Sequence, residues 1–222
     1  MQDGFFQNIS WPDIGQATFD TLLMLGGSLL LTLILGIPLG VLLFLTARGQ
    51  IGQSLIANRL LGVIVNILRS IPFVILLIVM IPLTLAMMGT SLGVAGAIPP
   101  LVAGAAPFYA RLVETALRDI PRSTIEAAQA MGATRLQIIG KVLLPEALPG
   151  LVSGATVTAI ALVSFTAMAG VVGAGGLGDL AIRYGYQRFQ ADVMLVTVAL
   201  LVLLVQLIQW SGDWLARRVD HR

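Results

Sequence analysis

The 222-residue chain is 57% hydrophobic and only 11% charged, with 13 lysine and arginine residues against 11 aspartate and glutamate residues. A soluble domain carries roughly a quarter charged residues, so this composition excludes a water-soluble globular protein and predicts an integral membrane protein. The net charge of +2 does not indicate nucleic-acid binding, and the absence of cysteine excludes disulfides, thiolate nucleophiles and cysteine-ligated metals.

Charge-free segments long enough to cross a bilayer, which needs about 20 mostly apolar residues per helix, follow one another along the chain. We therefore predict an all-α integral membrane fold with five transmembrane helices. An uncharged stretch between Arg69 and Arg111 is too long for one helix, and we divide it at a turn near Gly89. The predicted spans cover about 21–47, 56–83, 92–117, 147–171 and 192–215.

Positively charged residues are distributed unevenly between the two predicted sides, and loops rich in lysine and arginine stay cytoplasmic. With the N-terminus outside, only Arg183 and Arg188 lie on the outer side. This predicts an N-out/C-in orientation, with 1–20 as an extracytoplasmic segment, 21–217 as one transmembrane domain and 218–222 as a cytoplasmic tail. The residues assigned to the inner ends are Arg48, Arg59, Arg69, Arg111, Arg118, Arg122, Arg135, Lys141, Arg217, Arg218 and Arg222.

The long cytoplasmic loop, residues 118–146, contains signals for two short helices. Ser123 followed by Glu126 is the pattern of a capping box, and Gly132 is a typical helix stop, so a first helix is predicted between them. A second helix is predicted from near Thr134 to Pro145. A loop that only joined two spans would not need two helices, so we expect this one to dock on a cytoplasmic protein.

The second loop helix has apolar residues at helical spacing, Leu136, Ile139 and Leu143, which predict one apolar face. We expect this helix to be separate from the next span, with Pro145 marking its end.

The loop resembles the EAA loop of permease subunits of ABC importers, written E-A-A-x3-G-x9-I-x-L-P. The matching residues are Glu126, Ala127, Ala128, Gly132, Leu144 and Pro145, with Val142 in place of the isoleucine. Further segments are similar to the permeases of methionine importers: 69–73, 104–108, 141–150 and 172–178.

This resemblance implies a type I ABC importer permease with cytoplasmic coupling helices, multi-pass in a bacterial cytoplasmic (inner) membrane. It implies a homodimer, two ATP-binding cassette ATPase subunits that hold ATP and Mg, a substrate-binding protein or lipoprotein, and import of methionine, as the L- or D-form or an analogue. The chain has no phosphate-binding loop, so we expect a non-catalytic subunit that binds no cofactor. The alternatives are a permease for another small amino acid, or an autonomous channel or secondary transporter.

The resemblance assigns ATPase coupling to Glu126, Ala127, Ala128, Gly132, Leu144 and Pro145. The two small alanines would permit close approach of an ATPase subunit, and Gly132 would permit a sharp turn. Glu126 would pair with a basic group on that subunit; the alternative is that it serves only its own capping box.

Three residues are candidates for the transport pathway. Met168 is the bulky residue in a fourth span rich in small residues, and it would form a flexible apolar gate or simply pack between helices. Ser164 lies one turn before it. Arg69 would snorkel, pair across the bundle or line an inner vestibule. We expect no ionisable residue in the middle of a span, which argues against proton-coupled or sodium-coupled transport.

Two other features have local interpretations. Glu114 lies one turn from both Arg111 and Arg118, which predicts an ion-pair cluster near the cytoplasmic end of the third span. The glycines of segment 172–178 match a dinucleotide-binding pattern, but no strand precedes them, and we predict a turn at the outer end of a span. Asp179, Tyr184 and Tyr186 would then face the binding protein, unless this is an ordinary loop.

Overall fold

The computed structural model describes residues 9–220, and every regular element in that range is helical. Most of the predicted N-terminal segment falls within this range, whereas residues 1–8 and the tail residues 221–222, including Arg222, lie outside it. The helices are α1 (Trp11–Thr46), α2 (Leu55–Ser70), α3 (Phe73–Val79), α4 (Ile81–Met88), α5 (Gly93–Arg118), α6 (Arg122–Ala130), α7 (Arg135–Ile138), a π-helical segment (Ile139–Leu143), α8 (Leu144–Gly170), α9 (Gly176–Leu180), a second π-helical segment (Ala181–Tyr186) and α10 (Ala191–Val219).

The predicted second span is not one continuous helix. It breaks after Ser70, and α2 and α3 meet at an angle of 102°. Pro72 lacks a backbone N–H and disfavours helical backbone at the preceding residue, which explains why Ile71 is extended, with ψ at 124°. Four described helical stretches are long and apolar enough to cross a membrane, and the bent pair brings the number to five. The predicted turn near Gly89 is present, because α4 ends there with φ at +72°.

Helix α1 begins ten residues before the predicted start of the first span. At 1.5 Å per residue its 36 residues extend about 54 Å, well beyond a hydrocarbon core of roughly 30 Å. Its first turns pack through Ile14 and Ala17 against Leu177 and Leu180 of α9. The boundary drawn between residues 20 and 21 therefore has no counterpart in the helix, which runs straight through it.

Helix α5 lies at the centre of the bundle, between α1, α2 and α8. Two glycines one turn apart, Gly36 and Gly40, let α1 approach it closely. A Cβ atom built on Gly40 would lie 2.5 Å from both the Ala110 carbonyl oxygen and the Val113 Cβ. Small residues spaced four apart permit such backbone contact between membrane helices.

The second loop helix continues directly into the next span, so the prediction of a separate helix ending at Pro145 is wrong. Its start is confirmed: Thr134 and Gln137 form a capping box in which the Thr134 N–H donates to Gln137 Oε1 at 2.8 Å. From Arg135 to Gly170 the chain forms one continuous helical segment of 36 residues. Pro145 lies in the first turn of α8, directly after the π-helical segment that adjusts the backbone ahead of it.

The π-helical segment also changes which residues face inward. Its i→i+5 hydrogen bonds bring residues five apart onto nearly the same face, so Ile138 and Leu143 are both buried. Of the predicted apolar face, Leu143 is buried and Ile139 packs half-buried against the same cluster, whereas Leu136 is exposed. The prediction is therefore wrong for Leu136 only.

Candidate functional site

The loop between α5 and α8 is fixed to one end of the bundle by its inner face. Ile125 and Ala128 of α6 are buried in a cluster with Phe44 of α1 and with Val113 and Leu117 of α5. The same cluster contains Ala147 and Leu151 of α8, so α6 packs at the ends of three longer helices.

Glu126 does not form the predicted capping box with Ser123. Helix α6 begins one residue earlier, at Arg122, with Pro121 in the cap position and no side-chain capping bond. Glu126 instead accepts a hydrogen bond from Arg122 Nε at 3.0 Å, and both side chains are largely exposed. An exposed pair of this kind contributes little to stability, so the Glu126 carboxylate can exchange its partner at small cost.

The two alanines of the motif face in different directions. Ala127 is exposed, whereas Ala128 is buried in the cluster beneath α6. Leu144 is half-buried and packs against the same cluster, and Pro145 is exposed at the start of α8. The expectation that both alanines offer a surface to a partner therefore fits Ala127 only; Ala128 and Leu144 pack inward.

Gly132 ends α6 as the sequence predicts. Its φ is +78°, the Gly132 N–H donates to the Gln129 carbonyl at 2.9 Å, and the Ala133 N–H donates to the Ala128 carbonyl at 3.1 Å. These two bonds make a Schellman motif, in which a left-handed residue is required and glycine is favoured. On either side of it Met131 is 82% exposed and Leu136 is 81% exposed, so the loop ends in two apolar side chains.

Two of the three pathway candidates lie together. Ser164 and Met168 of α8 are exposed and line an open cavity of about 530 Å³, whose other lining residues include Leu201, Val205 and Gln206 of α10. Apart from the Ser164 hydroxyl and the Gln206 amide, the lining is apolar.

Arg69 lies apart from them, in a second cavity of about 200 Å³ at the bend between α2 and α3. Its guanidinium carbon is 5.8 Å from the centre of the Phe108 ring. Phe108 and Gly104, which also line this cavity, lie in the middle of α5. The exposed Arg69 side chain therefore lies beside Phe108, which precedes Arg111 of α5 by three residues. Its assignment to the inner ends and the expectation of uncharged mid-span regions stay predictions.

The predicted ion-pair cluster is confirmed and extends further than expected. The buried Glu114 carboxylate accepts from Arg111 Nη1 at 2.7 Å and from Arg118 Nη2 at 2.6 Å. Arg111 also donates from Nη2 to Asn66 Oδ1 at 3.0 Å and to the Gly62 carbonyl at 3.3 Å. The cluster therefore joins α5 to the polar face of α2.

The glycine segment forms the predicted turn at the end of α8, with positive φ at Gly173, Gly175 and Gly176. The Asp179 carboxylate is buried and binds both Nε and Nη2 of Arg183, at 2.7 Å for the Nε contact. This hydrogen bonding raises the pKa of Arg183 above its ordinary value.

The tyrosines of this region differ in exposure. Tyr184 is half-buried, with the Arg188 guanidinium 4.5 Å from its ring centre, and only Tyr186 is largely exposed. Of the three residues expected to face a binding protein, Asp179 is instead engaged inside the chain.

Sequence reasoning missed two sets of residues. Phe73, Phe108 and Phe165 line one cavity with Arg69, and Pro72 directly after Arg69-Ser70-Ile71 was the available signal for a break there. Met131 and Leu136 were available as apolar residues on both sides of a predicted helix stop.

Several apolar spans, close glycine-mediated helix contacts and an anchored extramembrane loop define a polytopic membrane permease. A model of the family of binding-protein-dependent transport system inner membrane components matches residues 36–221. The chain belongs to this family, and it is a multi-pass protein of the inner membrane.

Individual relatives agree with this assignment. A Vibrio cholerae protein named probable D-methionine transport system permease protein MetI is 53% identical over 206 residues, covering 93% of this chain and 92% of that protein. The methionine import system permease protein MetP of Bacillus subtilis is 47% identical over 222 residues, covering all of both chains. A chain of the MetNI methionine ABC transporter, solved in inward-facing conformations, superposes with a TM-score of 0.94 at 51% identity, covering 96% of this chain and 100% of that chain.

Proposed function

We propose that this chain is the membrane half of an ATP-driven importer of methionine. Two copies would form the pathway, two ATPase subunits would bind on the cytoplasmic side, and a substrate-binding protein would deliver the amino acid from outside. The names of the relatives support methionine, and the N-out/C-in distribution of positive charge supports the orientation.

The observation that best supports the coupling role is the exposed end of the loop. Met131 and Leu136 are more than four-fifths exposed at a surface that the charge distribution assigns to the cytoplasm. The two side chains lie on either side of the Gly132 turn, and exposed apolar side chains on an extramembrane loop are the kind of surface that a protein partner covers. Glu126, whose partner Arg122 is weakly held, supplies a charge beside them.

A mechanical path leads from this surface to the pathway candidates. Closure of two ATPase subunits would push the loop sideways, and α7 continues without a break into α8. Ser164 and Met168 lie on α8, so displacement of the loop would tilt the wall of the cavity that they line. Met168 would act as a deformable apolar gate in this scheme.

The test compares two ways of removing exposed apolar side chains. The Met131→Ala and Leu136→Ala double variant removes the loop end, and Leu55→Ala removes an exposed leucine at the predicted cytoplasmic end of α2. Losing about 2 kcal/mol of contact energy corresponds to a roughly 30-fold weaker association. We expect the double variant to lose ATPase subunits during purification and to lose ATP-dependent uptake of radiolabelled methionine into proteoliposomes, while Leu55→Ala keeps both.

Full ATPase association by the double variant would contradict the assignment of the docking surface. Uptake by the permease without any ATPase would favour the channel or secondary-transporter alternative. An intact, ATP-hydrolysing complex that carries a different amino acid would retain the importer and reject methionine.

A further inference from the structure

The cavity at the bend between α2 and α3 has the composition of a binding site for a small amphipathic molecule. It measures about 200 Å³, space for several water molecules of roughly 30 Å³ each. One charged side chain, Arg69, faces an otherwise apolar lining. The other lining residues are Leu68, Ile71, Phe73, Leu76, Gly104, Phe108, Ala161 and Phe165.

The depth of this cavity makes its charge unusual. Gly104 and Phe108 lie about 16 Å and 22 Å along α5 from its first residue, in a helix about 39 Å long. The Arg69 side chain is exposed at the bend. A charged side chain beside the apolar part of a membrane helix bundle is rare, and where it faces an accessible cavity it usually marks a ligand or ion pathway. The contact that the structure gives the Arg69 guanidinium is the face of the Phe108 ring.

No carboxylate of the described residues is placed to neutralise Arg69. Glu114 is already engaged by Arg111 and Arg118. The other described acidic residues lie toward one end of the bundle or the other: Asp13, Asp20, Asp179 and Asp192 at the end with the glycine segment, and Asp119, Glu126, Glu146, Asp213 and Asp220 at the end with the loop.

The wall opposite the charge is flat and aromatic. Phe73 and Phe165 stack with ring centres 4.4 Å apart and planes within 5°. A Cβ atom on Gly104 would lie 3.3 Å from the Phe73 ring, so glycine keeps this part of the cavity open. Aromatic edges and faces are favourable surroundings for a thioether or a short aliphatic chain.

The C-terminus of α2 adds a partner for positive charge. The last four carbonyl groups of a helix have no intrahelical donor and form the negative end of the helix dipole. Ile71 makes no capping hydrogen bond here, and Pro72 has no N–H to offer. An ammonium group beside the bend would therefore find carbonyl acceptors within one turn of Arg69.

We propose that this cavity is an intermediate binding site for the transported amino acid inside the membrane, an inference that rests on the proposed import function. The ligand class is a zwitterionic α-amino acid with an apolar side chain. Its carboxylate binds the Arg69 guanidinium, its ammonium group faces the C-terminal carbonyls of α2, and its side chain lies on Phe73 and Phe165. Phe165 follows Ser164 on α8, so this binding site and the cavity that contains Met168 are both lined by α8.

The first test uses the complete transporter in proteoliposomes. The variants are Arg69→Gln, Arg69→Lys and the matched control Arg59→Gln, which removes an exposed arginine from the same helix. Loss of a charge-assisted hydrogen bond corresponds to a roughly tenfold or larger effect. We expect Arg69→Gln to lower the maximal rate of methionine uptake at least tenfold, while ATP hydrolysis stimulated by the binding protein stays within twofold. Arg69→Lys should recover part of the uptake, and Arg59→Gln should match the wild type.

The second test reads out binding directly. Photo-methionine, a diazirine analogue, should label peptides containing residues 73–76 and 161–165 in the wild-type complex, and excess methionine should suppress the labelling. Uptake by Arg69→Gln equal to that of Arg59→Gln, or labelling that avoids both peptides, would overturn the inference. Absence of uptake by the wild type would instead overturn the proposed function, and the labelling result would still decide whether the cavity binds an amino acid.

Discussion

The close approach of α1 to α5 leads to a prediction that compares two glycines in one helix. Gly40→Ala places a methyl group 2.5 Å from the Ala110 carbonyl oxygen and from the Val113 Cβ, well inside van der Waals contact. Neither neighbour can rotate away, because one is backbone and the other is a branch point. Gly26→Ala in the same helix places its methyl group where no atom lies within 4 Å.

Both substitutions gain helix propensity, but only Gly40→Ala also introduces a steric clash. Replacing glycine by alanine within a helix favours the helix by about 1 kcal/mol in both cases. Overpacking costs about 1–3 kcal/mol and applies only to Gly40, where α1 must move away from α5 by several tenths of an ångström. We therefore expect Gly26→Ala to be neutral or stabilising and Gly40→Ala to be less stable than Gly26→Ala by roughly 1–3 kcal/mol.

Thermal unfolding of the two variants in the same detergent or nanodisc measures this difference directly. For a chain of this size, 1 kcal/mol corresponds to a Tm change of about 2–4 °C, so the Tm values should differ by at least a few degrees, with Gly40→Ala lower. Equal Tm values would refute the reasoning, because they would mean that α1 and α5 do not meet backbone to backbone at Gly40.

Two further predictions concern polar groups. Glu114→Gln removes the mostly buried carboxylate that two arginines share. Breaking such a pair costs about 3 kcal/mol, so Tm should fall clearly. An unchanged Tm would show that water already neutralises the cluster. Thr134→Val removes the side-chain acceptor for the Gln137 N–H and should destabilise the start of the helix by about 1 kcal/mol. Amide hydrogen exchange over 134–138 should become faster, with little change in Tm. Unchanged exchange would show that the cap is not formed.

Sequence patterning predicted the all-helical class and the apolar spans well, because hydropathy and turn residues act locally. The apolar runs, the stop at Gly132, the start at Thr134 and the turn at Gly89 each depend on a few neighbouring residues. The ion cluster around Glu114 was predicted for the same reason, since its partners lie three and four residues away on one helix.

Features that depend on packing were not predictable in this way. Prolines occur inside α1, α5 and α8 without ending them, whereas Pro72 coincides with a break of 102°. Neighbouring helices decide which of these sites bends, because they can satisfy the backbone groups that a proline frees. The surroundings of Arg69 come from α3, α5 and α8 together, and no sequence spacing links them.

The exposure of Leu136, the one residue of the predicted apolar face that does not pack inward, has a different cause. The spacing of Leu136, Ile139 and Leu143 assumes 3.6 residues per turn throughout, and the π-helical segment breaks that assumption. The predicted residues are apolar as expected, but the π-helical segment changes their angular positions around the helix axis.

The π-helical segment has a consequence for how this protein can change by descent. One added residue in an α-helix is accommodated as a π bulge, and everything before it is turned by about 100° relative to everything after it. Residues 139–143 lie between the loop that ends in Met131 and Leu136 and the span that contains Met168. Gain or loss of a single codon in this stretch would therefore rotate the loop around the axis of α8. It would do so without changing Met131, Leu136 or Met168 themselves.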